Sequence, residues 1–193
     1  MTTAEFIDWP EDPTGQLWQL VDGEPQAMAP ASDTHGSIQA EIARRIGNHL
    51  FEMTSECRVV AAPGIVPRVH ADMNVRVPDL AVTCNPNDPR ERLLQGPVLI
   101  IEVLSPSNER ETWANVWAYT TIPSLQEILV VHSLKIGAEL LVRNSDGTWP
   151  ERPSSFGAND SITLASIKGA FRLADFYVTT ALGHLGGSER SQV

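Results

Sequence analysis

The stretch that most constrains this chain runs from Gly96 to Pro106, GPVLIIEVLSP. Val98 to Leu104 is an aliphatic, β-branched run bounded by proline on both sides, the pattern of a strand covered on both faces. Glu102 stands near its end. An ionised carboxylate among aliphatic side chains costs several kcal/mol unless it is paired or ligates a cation, so this strand requires a compensating partner. A second acid lies upstream in Val75-Arg76-Val77-Pro78-Asp79-Leu80-Ala81-Val82, where the proline implies an edge position or a kink. Two acids near the ends of adjacent strands can converge on one hard cation.

The 193 residues suit one domain with a sizeable core. The expected division is an N-terminal arm over 1–16, the domain over 17–182 and a tail over 183–193. No apolar run approaches the roughly 20 residues that span a bilayer. Met1 to Phe6 lacks the basic flank and apolar core of a secretory signal, so cytoplasmic residence without membrane contact is expected. Cys57 and Cys84 have neither metal-ligand spacing nor a disulfide framework around them, and are expected to be reduced and structural. The formal charge of −10 opposes sequence-independent binding to nucleic acid, which rests on neutralising phosphates. A nucleic-acid function therefore needs a local arginine cluster or a partner. Lysine is scarce, at positions 135 and 168 alone.

Along the chain, Leu17 to Met28 reads as a β-hairpin turning at Asp22-Gly23, from which Glu24 departs. Ile38, Ile42, Ile46 and Leu50 recur at four-residue steps, which predicts an amphipathic helix from His35 to Phe51, capped by Asp33 or Thr34. Strands are expected over 57–60, 64–69, 127–132, 136–142 and 161–164, besides the two that carry the acids. Ser105-Pro106-Ser107-Asn108 introduces a helix over 109–119, and a short helix is expected over 173–182. This alternation predicts a mixed β-sheet flanked by helices, in an α/β or α+β domain.

Pro78-Asp79, the block Glu102-Val103-Leu104-Ser105-Pro106-Ser107, the helix bearing Tyr119, and Ile122-Pro123-Ser124 before the next strand together resemble the Uma-two-type family of restriction-endonuclease-like proteins, within the PD-(D/E)xK nuclease superfamily. Asp22-Gly23-Glu24 followed by a helix at His35 fits the same pattern, and the resemblance covers roughly residues 17–177. It implies a restriction-endonuclease-like fold and a magnesium-dependent endodeoxyribonuclease, manganese being an alternative ion. Asp79, Glu102 and the main-chain carbonyl of Val103 would hold the metal, with Glu24 joining them, and a metal-bound water would attack the phosphorus of DNA. Hard oxygen ligands suit magnesium, which usually keeps several waters.

One departure stands out. The superfamily lysine would occupy position 104, which is leucine; in many relatives it sits on the following helix, four residues before the tyrosine, and here that place is Asn115. An amide can orient water or a phosphate oxygen but carries no charge. Arg110 is the alternative cation. Other readings stay open beside these. Asp79 reads equally as a turn acid, Glu102 as a structural ion pair with Arg76 or Arg68, Glu24 as a solvated hairpin residue, and His35 as a capping or packing residue. Trp113, Trp117 and Tyr119 read as core or a dimer face. The functional alternative to the nuclease is a catalytically silent relative acting as a nucleic-acid-binding or assembly module. A homodimer is expected, since an acidic subunit would pool its few arginines to hold DNA.

Overall fold

The computed structural model describes residues 1–10 and 14–185. Its elements in chain order are α1 (Thr3–Ile7), β1 (Trp18–Val21), β2 (Glu24–Ala27), α2 (Asp33–Glu52), β3 (Arg58–Ala61), β4 (Leu80–Thr83) and β5 (Pro97–Leu104). There follow α3 (Glu109–Tyr119), β6 (Glu127–His132), β7 (Gly137–Val142), β8 (Ser154–Gly157), β9 (Ser161–Leu164), β10 (Gly169–Arg172) and α4 (Ala181–Leu185). Six strands form the central sheet in the order β3-β4-β5-β6-β7-β8, and β5 and β6 are its parallel pair. That pair requires a crossover, which α3 supplies. β1 and β2 form a separate hairpin, and β9 and β10 another.

The sheet is mixed because its central pair is parallel and the flanking pairs are antiparallel. Side chains alternate across a strand, so β5 serves both faces. Leu99, Ile101 and Val103 join the layer under α2, together with Ile38, Ile42 and Ile46. Ile100 and Leu104 join the layer under α3, with Val116 and Tyr119. Glu102 has the parity of Ile100 and Leu104 and therefore faces α3. The predicted four-residue stripe is the buried face of α2, with Ile38, Ile42 and Ile46 fully excluded from solvent.

Several local expectations change. The cap of α2 is Ser32, whose side chain accepts the His35 N–H, not Asp33 or Thr34. Residues 64–69 form no strand and contribute one bridge, Ile65 to Arg76. The helix expected over 173–182 divides into a 3-10 turn at Leu173–Tyr177 and α4. β10 lies outside the strands and helices expected from the sequence. The hairpin turn does follow expectation: Asp22 and Gly23 both have positive φ, 48° and 85°, the conformation two-residue hairpin turns require. Of the tail expected over 183–193, residues 186–193 lie outside the described residues. Among the described residues no helix is long and apolar enough to cross a membrane.

The expectation of reduced cysteines is overturned: Cys57 and Cys84 form a disulfide. The reason is register. Arg58 pairs with Thr83 across β3 and β4, so residues 27 apart in sequence stand opposite one another just beyond the ladder. The link closes a loop that contains Arg76 and Asp79. Replacing both cysteines by alanine should lower unfolding stability by about 2–4 kcal/mol, read from urea denaturation, and thiol titration of the unfolded wild type should find no free thiol.

Candidate metal centre

Asp79 and Glu102 meet where β4 and β5 leave their ladder. Leu80 pairs with Ile101, which places the next two residues, Asp79 and Glu102, opposite each other. The Asp79 N–H reaches Glu102 Oε2 at 3.4 Å, and Asp79 Oδ2 accepts the Val103 N–H at 2.7 Å. The Leu104 carbonyl points away toward β6, accepting from Ser133. In a strand the amide and carbonyl of one residue share a side and successive residues alternate, so the Val103 carbonyl opens on the side of Asp79.

Each carboxylate is further held by a side chain from a different helix. His35 Nε2, from the first turn of α2, lies 2.8 Å from Asp79 Oδ1. The Tyr119 hydroxyl, from the end of α3, donates to Glu102 Oε1 at 2.9 Å. Gln39, one turn beyond His35, donates to the Asp79 carbonyl at 2.8 Å. Among the described residues neither acid is capped by arginine. Arg76 and Arg68, the ion-pair partners considered for Glu102, form no salt bridge with it among the described residues.

The electrostatics of the pair are unbalanced. Burial pushes the Glu102 carboxyl well above the usual carboxylate range, and the neighbouring Asp79 charge pushes it further. Tyr119, also buried and facing Glu102, is raised as well, so its hydroxyl keeps the proton it donates. The acids line a cleft of about 610 Å³ beside His35, Ser107, Asn108 and Asn115. His35 is the sole basic side chain among the described residues that line it.

The donor chemistry suits a hard divalent cation. Two carboxylates and a backbone carbonyl on one side of β5 form an all-oxygen set, and magnesium typically takes one or two carboxylates and retains water elsewhere. Burial and the adjacent Asp79 charge both disfavour an ionised Glu102, a cost that a bound cation would offset. Among the described residues no three His, Cys, Asp or Glu side chains group closely enough to hold a metal by themselves, so backbone and water would have to complete any coordination.

Asp79, Glu102 and Val103 are thus brought together, and Glu24 is not. Glu24 sits at the exposed start of β2 opposite Val21, while the cleft is lined by Ala27 and Met28 at that strand's other end. Asn115 borders the cleft, but its amide is engaged: Oδ1 accepts from Arg76 at 2.9 Å, and Nδ2 donates to Gln19 at 3.3 Å. Arg110 lines a neighbouring cavity instead. The sequence reading missed the roles of His35 and Tyr119. The available signals were a histidine opening the helix that covers the Asp79 strand, and a tyrosine whose helix must pack on the Glu102 face.

Comparison with known proteins places this geometry in context. Residues 3–174 match the family model described as "Uma2: Putative restriction endonuclease". An uncharacterized protein of Synechocystis is 28% identical over 179 residues, covering 92% of this chain and 91% of that protein. A crystal structure from Anabaena variabilis, described as "a putative nuclease belonging to DUF820", superposes with a TM-score of 0.74 at 15% identity, over 92% of this chain and 97% of that one. At that identity the likeness shows a shared fold.

The Glu102 environment sets a pH dependence. The folded protein holds the Glu102 proton to higher pH than the unfolded chain does, so stability falls as pH rises from the ordinary glutamate value, about 4.3, through the raised one. In the metal-free protein Glu102→Gln, which removes that charge, should gain stability over wild type progressively as pH rises through that range. Chemical denaturation in chelator at both ends of the range measures the gain, and a difference independent of pH would refute the assignment.

Proposed function

Because this chain belongs to the Uma2 family, whose model spans nearly its whole length, we propose that it is a divalent-cation-dependent endonuclease acting on DNA. The observation that carries the reading is the paired Asp79 and Glu102 at the end of β5, held by one donor from each flanking helix, where burial and the Asp79 charge disfavour an ionised Glu102. Asp79, Glu102 and the Val103 carbonyl would hold the cation, magnesium or manganese. The chemistry such an ion supplies when bound is neutralisation of phosphate charge and acidification of water.

The chain's own residues prepare the site for that chemistry. His35 and the Val103 amide fix both oxygens of Asp79, each keeping a free lone pair. Tyr119 fixes one oxygen of Glu102 from inside the α3 layer, leaving Oε2 on the Asp79 side. Gln39 anchors the Asp79 backbone. Asn115 does not face substrate as a free amide; it holds Arg76. Homodimerisation belongs to the proposal, as the means by which an acidic subunit gathers enough arginine to hold DNA, and light scattering at micromolar concentration checks it.

The catalytically silent reading draws support from one observation: both lysines lie outside the cleft lining, which leaves His35 as its basic side chain among the described residues. A single experiment separates the two. Magnesium and manganese are titrated calorimetrically into wild type, Asp79→Ala and His35→Ala, with plasmid nicking assayed on the same samples. The nuclease reading expects binding and nicking in wild type and loss of both in Asp79→Ala. In His35→Ala, which loosens a carboxylate without removing it, affinity or rate should fall by about 10- to 100-fold. Binding without nicking selects the silent relative. Absence of both from wild type overturns the metal centre.

A further inference from the structure

A second cavity, of about 1050 Å³, adjoins the acid cleft, and Ser107, Asn108, Glu111 and Asn115 line both. Its wall contains Arg76, 7% exposed. The Arg76 Nη1 donates to Asn115 at 2.9 Å, whereas Nε is buried and has no hydrogen-bond partner among the described residues. Among the described residues no carboxylate lies within ion-pairing distance of this guanidinium. The acids closest in electrostatic influence are engaged elsewhere: Asp22 with His70 at 2.9 Å and Asn74 at 3.1 Å, and Glu111 with Gln19 at 2.7 Å. An arginine stays charged when buried, so Arg76 is a buried cation without an ion-pair partner among the described residues, beside open volume. Its planar fork matches the oxygens of a phosphate. Exposed Trp117 lies on the same wall and offers an apolar face to a base.

We infer that this cavity is a phosphate subsite, in which Arg76 holds a backbone phosphate of a nucleic-acid strand next to the phosphodiester presented to Asp79 and Glu102. The inference rests on the nuclease reading for the strand's path, and on the unpaired guanidinium for the contact. Asp22, Glu109 and Glu111 also face the cavity, so its overall field does not attract a polyanion. His70 and Arg110 line the cavity as well, but Arg76 is the buried cation without an ion-pair partner among the described residues, and binding in the absence of metal is weak and salt-sensitive.

The test measures binding of a labelled single-stranded oligonucleotide by fluorescence anisotropy in chelator at low salt, for wild type, Asp79→Asn, Arg76→Gln and Ala114→Glu. Ala114 is exposed and lines the cavity, so a carboxylate there opposes the phosphate without disturbing the core. Asp79→Asn should bind at least as tightly as wild type. Arg76→Gln and Ala114→Glu should each bind roughly 10- to 100-fold more weakly. Arg76→Gln should also show a salt slope shallower by about one. If Arg76→Gln does not fold, Ala114→Glu decides. Unchanged binding in Ala114→Glu, or no binding by wild type, overturns the inference. Binding that Ala114→Glu abolishes, in a protein that never nicks DNA, leaves the subsite standing while the nuclease reading fails.

Discussion

Glu102 places a carboxyl group inside the layer that packs β5 against α3, and the arrangement around it follows from the cost of doing so. A buried glutamate needs hydrogen bonds, a counter-charge or a proton. The folded chain supplies the first through Tyr119 and the Asp79 amide. It then sets a second carboxylate beside the first, which makes the counter-charge more necessary. A protein selected for stability alone would have an aliphatic residue at 102, as it has at 100 and 104. Keeping two acids together where neither meets an arginine is costly to the fold and useful to a site that takes a cation.

The scaffold explains how two acids 23 residues apart hold their positions. Parallel pairing of β5 with β6 requires α3 as a crossover, and that crossover brings Tyr119 over Glu102. Antiparallel pairing of β4 with β5 ends at Leu80 and Ile101, so Asp79 and Glu102 are the first residues released from the ladder. The Val103 amide, having no strand partner on that side, turns to the Asp79 side chain instead. α2 meets the site with its first turn, where Ser32 caps the helix and His35 reaches Asp79. Sheet, crossover helix and covering helix each contribute one contact to the same pair of carboxylates.

Much of this was legible from periodicity. The four-residue stripe of α2 carries a helical period, the aliphatic run around Glu102 is marked as a strand by its β-branched residues and bounding prolines, and both elements occur as expected. The convergence of Asp79 and Glu102 could be anticipated because both acids interrupt apolar runs of sequence. Long-range register was less accessible. Cys57 and Cys84 become opposite only once β3 and β4 are aligned, and Tyr119 finds Glu102 only once the parity of β5 is assigned to the α3 face. Glu24 shows the converse: its hairpin was correctly read, yet a strand four residues long puts one end at the cleft and the other outside it.

The amide at 115 connects these points. Arg76 donates to Asn115, Asn115 donates to Gln19, and Gln19 donates to Glu111, so two amides join a guanidinium to a carboxylate across the boundary of the two cavities. Gln19, Asn115 and Arg76 are all buried, and each amide uses its oxygen toward the cation and its nitrogen toward the anion, which fixes both orientations. A lysine at 115 could not take this place. It would bring a second cation within hydrogen-bonding distance of Arg76 and offer no acceptor to it. Asparagine at 115 and a buried arginine at 76 are therefore one arrangement: the positive charge resides on the segment leading to Asp79, and α3 contributes the acceptor that holds it.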